Sequence, residues 1–113
     1  MHHGSTVFSV TFSNERLLAS ASWDKAVKIW NPESGKCIKT LEGHTAGVTS
    51  VSFSDSGLLA SGSYDQTVRV WNPVTADCVR TLQGHSDKVW TVAFGPNNLI
   101  ASGSEDGSIK VNN

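Results

Sequence analysis

Residues 43–83 read GHTAGVTSVSFSDSGLLASGSYDQTVRVWNPVTADCVRTLQ, and Gly84-His85 then opens the same phrase again. Residues 7–47 laid over 48–88 match identically at 20 of 41 positions without a gap. The same frame superimposes Phe12, Phe53 and Phe94; Ala19-Ser20, Ala60-Ser61 and Ala101-Ser102; Asp24, Asp65 and Asp106; and Trp30-Asn31-Pro32 on Trp71-Asn72-Pro73. A fixed period of this length marks a repeat architecture, in which each copy is one supersecondary unit that buries its apolar face against its neighbours.

Within a copy, apolar residues alternate in four short runs: Val48, Val51 and Phe53; Leu58 to Ser63; Val68, Val70 and Trp71; and Cys78, Val79 and Leu82. Such runs predict strands. Turn formers divide them, with Asp55-Ser56-Gly57 or Gly95-Pro96-Asn97-Asn98 after the first run and Asn72-Pro73 after the third. Nothing of helical length or period remains. The reading is all-β, with four-stranded antiparallel units at 7–42 and 48–83 and a third unit at 89–113 lacking its outer strand.

The repeat length, Gly43-His44, Gly84-His85 and the Trp-Asn endings at Trp30-Asn31 and Trp71-Asn72 resemble the WD-repeat family over residues 3–113. The family's usual Trp-Asp dipeptide is Trp-Asn here. The resemblance implies a β-propeller, so the units become blades and residues 1–113 a partial propeller of about two and three-quarter blades. Similar close-spaced repeats occur in fungal nucleotide-binding immune-type receptors and in mitochondrial fission adaptors.

Composition narrows the function classes. The chain is 38% hydrophobic and 17% charged, a globular composition, and its net charge of −1 gives no basic footprint for nucleic acid. No stretch approaches the roughly 18 apolar residues of a membrane span. Met1-His2-His3-Gly4-Ser5 lacks a signal core and reads as a shortened tag or the cut end of a longer protein, with His2-His3 at best a weak metal pair. These features predict a cytoplasmic protein without membrane insertion, metal or cofactor. Cys37 and Cys78 occupy equivalent repeat positions, which predicts reduced, partly buried thiols on outer strands too far apart to bridge.

Each full copy carries a His, a Ser, an Asp and a Trp, as in His44, Ser61, Asp65 and Trp71, and together they look like a nucleophile triad. The family resemblance assigns them a structural role instead, as a hydrogen-bonded network within each blade. Their chemistry suits it: Asp accepts from imidazole, imidazole bonds the Ser hydroxyl, and Ser accepts from the indole N–H. Ser20, Asp24 and Trp30 form the corresponding set in blade one, and His85, Ser102 and Asp106 in blade three, where Asn112 replaces the Trp. Ser63 shares a strand face with Ser61. A reactive site would appear once, in a cleft, whereas this set recurs, so no enzyme activity is expected.

The aromatics left over are Phe8, Trp23, Tyr64 and Trp90. They fall at two repeat positions, the start of the first strand (Phe8, Thr49, Trp90) and the residue before the turn Asp (Trp23, Tyr64, Glu105), with Gly47 and Lys88 beside them. By resemblance both positions open on the narrower top face, where partners dock. The expected function is therefore a scaffold or adaptor that binds proteins or peptides there, with Phe8, Trp23, Thr49, Tyr64, Lys88 and Trp90 as contacts. Three alternatives stand beside it: a fragment without independent function, the repeat region of a larger signalling receptor or mitochondrial fission adaptor, and self-association of copies into a complete ring.

Overall fold

The computed structural model describes residues 1–112, and its strands fall where short β-favouring runs lie between Ser, Asp, Asn and Gly turns. The first sheet comprises β1 (Val7–Phe12), β2 (Leu18–Ser22), β3 (Val27–Asn31) and β4 (Lys36–Leu41). The second comprises β5 (Val48–Phe53), β6 (Leu59–Ser63), β7 (Val68–Asn72) and β8 (Asp77–Leu82). The third comprises β9 (Val89–Phe94), β10 (Ile100–Ser104) and β11 (Ile109–Asn112), with a single 3-10 turn at Pro96–Asn98. Each sheet is an antiparallel meander in chain order. No helix among the described residues is long and apolar enough to cross a membrane.

Two local devices set the geometry. Asn31 and Asn72 close the turns after β3 and β7: Asn72 Oδ1 accepts from the N–H groups of Val74 at 2.9 Å and Thr75 at 3.3 Å, as Asn31 Oδ1 does from Glu33 and Ser34. An amide oxygen accepts as a carboxylate would, which is why Trp-Asn serves where Trp-Asp is usual. The second device is a bulge near the start of each first strand. Val48 pairs with Ser63 and Ser50 with Gly62, so Thr49 is the extra residue. The bulge brings Val48 and Val51 onto one face despite their three-residue spacing, and it re-aims the residue between.

A lone sheet has no interior, so the core lies between sheets. Ala19, Ala21, Val27, Ile29 and Leu41 of the first sheet cluster with Val48, Val51 and Leu59 of the second. Ala60, Val68 and Val70 of the second cluster with Val89, Val92 and Ile100 of the third. The first strands lie side by side, β1 with β5 and β5 with β9. Hydroxyls tie them: Ser9 Oγ accepts from Val51 N–H at 3.3 Å, Ser50 Oγ from Val92 N–H at 3.1 Å and Ser52 Oγ from Phe94 N–H at 3.2 Å. These are β-propeller blades fanned around their first strands, and three of them do not close a ring.

One expectation is corrected here. Cys37 and Cys78 are exposed rather than partly buried. They sit on β4 and β8, the last strands of their sheets, each of which pairs on one side only among the described residues. Both are free thiols: Cys37 Sγ–H donates to Lys39 O at 3.4 Å, and Cys78 Sγ–H donates to Arg80 O at 3.3 Å while Cys78 Sγ accepts from Arg69 Nη1 of β7 at 3.6 Å.

Candidate protein-docking face

The recurrent polar residues meet inside each blade. In the second, Trp71 Nε1–H donates to Ser61 Oγ at 2.8 Å, His44 Nε2 lies 2.7 Å from Ser61 Oγ, and His44 Nδ1 lies 2.8 Å from Asp65 Oδ2. Burial opposes ionisation of Asp65, but hydrogen bonds from His44, Thr67 and the Thr45 N–H outweigh it and hold the carboxyl well below its ordinary 3.8. An ionised carboxylate only accepts, so Nδ1 carries a proton; in the Nδ1–H tautomer Nε2 then accepts from the Ser61 hydroxyl, and Ser61 Oγ accepts from the indole N–H. One tautomer satisfies every member.

The third blade repeats His85 Nε2 to Ser102 Oγ at 2.8 Å and Nδ1 to Asp106 Oδ2 at 3.3 Å, without an indole. Bonds from the Ser108 hydroxyl and the Ser86 and Ser108 N–H groups keep the exposed Asp106 carboxyl low as well. Between the two candidate serines, Ser61 is the node, while Ser63 Oγ donates to Gly47 O at 2.9 Å and accepts from Asp65 N–H.

In the first blade the network histidine is His3, from the stretch that on sequence reads as a shortened tag or the cut end of a longer protein. Its Nε2 lies 2.5 Å from Ser20 Oγ and its Nδ1 3.1 Å from Asp24 Oδ2, while Trp30 Nε1–H donates to Ser20 at 2.8 Å. The signal was available, since His3 stands one period before His44. Thr67 and Ser108 were also missed: their hydroxyls donate to Oδ1 of Asp65 and Asp106, each at 2.5 Å. In none of the three blades is the serine open for attack, as Ser20, Ser61 and Ser102 are all buried.

The spare aromatics form a continuous series. Because Val7 pairs with Ser22, Val48 with Ser63 and Val89 with Ser104, the first-strand bulge and the residue after the second strand lie at the same end of every blade. Phe8 meets Trp23 at 6.2 Å between centroids, Trp23 meets Tyr64 at 4.9 Å, and Tyr64 meets Trp90 at 5.1 Å, with every pair edge-to-face. Trp90 Nε1–H ends the row by donating to Glu105 at 2.9 Å, and Lys88 Nζ stands 5.3 Å from the Tyr64 ring centroid. Gly47 makes room for the row, since a Cβ there would lie 2.3 Å from Trp23 Cε3. Phe8, Trp23 and Trp90 nonetheless remain 45, 45 and 42% exposed. Ring–ring contact has ordered the row without removing it from solvent.

Thr49 does not belong to that surface, which corrects its expected place among the partner contacts. It is buried, and its hydroxyl lies against Gly62 O at 3.1 Å and Val89 O at 2.6 Å. The bulge turns this small β-branched side chain into the seam between blades two and three, whereas Phe8 and Trp90 at the same repeat position stay exposed. No group of three or more His, Cys, Asp and Glu residues converges among the described residues.

Comparison with known proteins agrees with this geometry. The model of the family described as WD domain, G-beta repeat, matches residues 1–31, 35–72 and 76–113. Nuclear distribution protein PAC1 of Arthroderma benhamiae is 58% identical over 36 residues, covering 32% of this chain and 8% of that protein. The peroxisomal targeting signal 2 receptor of Homo sapiens is 44% identical over 45 residues, covering 37% and 14%. Mitochondrial division protein 1 of Neurospora crassa is 53% identical over 32 residues, covering 28% and 5%. The chain thus spans a small part of each of these relatives.

Proposed function

This chain belongs to the WD domain, G-beta repeat family, whose members serve in general as non-enzymatic protein-interaction modules, and on that premise we propose that it is a scaffold or adaptor that docks a protein or peptide against the row Phe8–Trp23–Tyr64–Trp90. The observation that carries this reading is the order of that row combined with its exposure. Rings already held edge-to-face lose little rotamer freedom when a partner covers them, and Trp and Tyr dominate interface energies. Lys88 and Glu105 at one end supply charge for register. The buried His, Ser, Asp and Trp sets serve the blades and carry no turnover. Exposed free thiols at Cys37 and Cys78 fit a reducing compartment such as the cytoplasm.

Capture from a cell lysate on immobilised protein tests the proposal. The parent is compared with a triple variant, Trp23→Ala, Tyr64→Ala and Trp90→Ala, and with Val74→Asp, which alters an exposed residue on the β7–β8 turn at the other end of the blade. Loss of bound proteins in the triple variant, with retention in Val74→Asp, supports docking on the row. Identical partner sets in all three overturn it.

A further inference from the structure

The middle of the aromatic row bridges the two seams between blades. Trp23 of blade one meets Tyr64 of blade two at 4.9 Å and 88°, and Tyr64 meets Trp90 of blade three at 5.1 Å and 83°. Both indole planes therefore stand nearly upright against the phenol ring between them. Steps of 4.9 and 5.1 Å also put the Trp23 and Trp90 centroids at most about 10 Å apart. Flat ring surfaces at that spacing suit a partner whose own apolar groups recur at a similar distance.

The polar hydrogens of the row narrow the choice further. Trp90 Nε1–H is matched by Glu105 at 2.9 Å, but Trp23 Nε1–H and the Tyr64 hydroxyl make no hydrogen bond among the described residues, and the Tyr64 hydroxyl is not buried. Lys88 adds an ammonium 5.3 Å from the Tyr64 ring centroid. A partner that covers these donors must bring acceptors, because a donor shut away from water without one is costly. An extended strand would set its own N–H groups beside them. An amphipathic helix keeps its carbonyls in intrahelical bonds and would meet the row with apolar side chains. A polyproline II segment has no internal hydrogen bonds, its prolines carry carbonyls but no N–H, and its three-residue turn advances about 9.3 Å. It matches both the spacing of the indoles and the surplus of donors.

We propose that the row receives a proline-rich segment in the polyproline II conformation. Two prolines one turn apart lie on Trp23 and Trp90, and carbonyls between them accept from Trp23 Nε1–H and the Tyr64 hydroxyl. This inference rests on docking at the row and adds the chemistry of the occupant. The segment is stiff before it binds and the rings already hold one another, so little conformational freedom is lost on either side.

Titration with a capped deca-proline peptide, read on the indole N–H resonances of Trp23 and Trp90, tests the inference against a capped glycine-serine peptide of equal length. Saturable binding of deca-proline with a Kd between about 10 μM and about 1 mM is expected, and none of the glycine-serine peptide. Tyr64→Phe keeps the ring, removes the hydroxyl and should weaken binding about fivefold, the effect of one net hydrogen bond. Trp90→Ala removes one platform and should weaken it at least about tenfold, whereas Val74→Asp at the other end of the blade should bind as the parent does. No binding of deca-proline up to about 1 mM, equal binding of the two peptides, or parental affinity in Trp90→Ala overturns the inference. Lysate capture is read separately: a row that captures proteins but ignores deca-proline overturns the proline assignment alone and leaves docking at the row in place.

Discussion

Replacing Ser61 with alanine removes one oxygen and strands two buried groups. The Trp71 indole N–H loses its acceptor at 2.8 Å and His44 Nε2 loses its partner at 2.7 Å, inside a site where Ser61 and Trp71 are 0% and 1% exposed. An orphaned buried polar group costs about 1–3 kcal/mol, so two of them, with some relaxation around the methyl, give a loss of about 2–4 kcal/mol. For a chain of this size that lowers the thermal midpoint by roughly 8–16 °C. Blade three supplies the control, because Ser102 has His85 as partner and Asn112 stands where the indole would be. Ser102→Ala should cost about half as much, about 1–2 kcal/mol. Amide hydrogen exchange, read separately on β6 and β10 alongside urea unfolding, keeps the two blades distinct. A loss below about 1 kcal/mol in Ser61→Ala, or equal losses in both variants, would refute the additive network on which the estimate rests.

The Asp65 carboxyl is held well below its ordinary 3.8 in the folded state, so its contribution is full above that value and is lost as pH falls from there through the lower folded-state value; Asp65→Asn should lower stability at pH 7 yet flatten the decline below about pH 5, as urea titrations at each pH would show. Gly62→Val should cost about 1–3 kcal/mol by forcing Val89 and Val92 away, measured by thermal unfolding. Gly47→Ala should displace Trp23 from its contact with Tyr64, giving a shifted tryptophan emission and weaker partner capture with little change in melting. Gln66 holds a φ of 75° where blade three has Gly107 at 83°, so Gln66→Gly should raise stability by up to about 1 kcal/mol in the same melts.

The 41-residue period made the blades readable because the packing that buries one copy is the packing that buries the next. Val48, Val51 and Phe53 pointed to a strand, yet their uneven spacing becomes intelligible only with the bulge at Thr49, which is a backbone feature. The same bulge explains why Thr49 was misplaced: sequence position gave it the company of Phe8 and Trp90, while a hydroxyl at the seam finds two carbonyls and two large rings stay outside. His3 was legible through the period but was judged by its place near the start of the chain. The aromatic row required structure, since Trp23, Tyr64 and Trp90 meet only once antiparallel register brings their turns to one end.

The serine bridges between first strands also bear on how the chain folds. Ser9 to Val51, Ser50 to Val92 and Ser52 to Phe94 each span 42 residues, so the ties between neighbouring blades close loops of one repeat and no longer. Loop-closure entropy rises only logarithmically with length, and here it is incurred anew at each blade rather than once across the whole molecule. Folding can start in any blade and spread to its neighbour as a zipper does, at a rate set by one repeat rather than by their number.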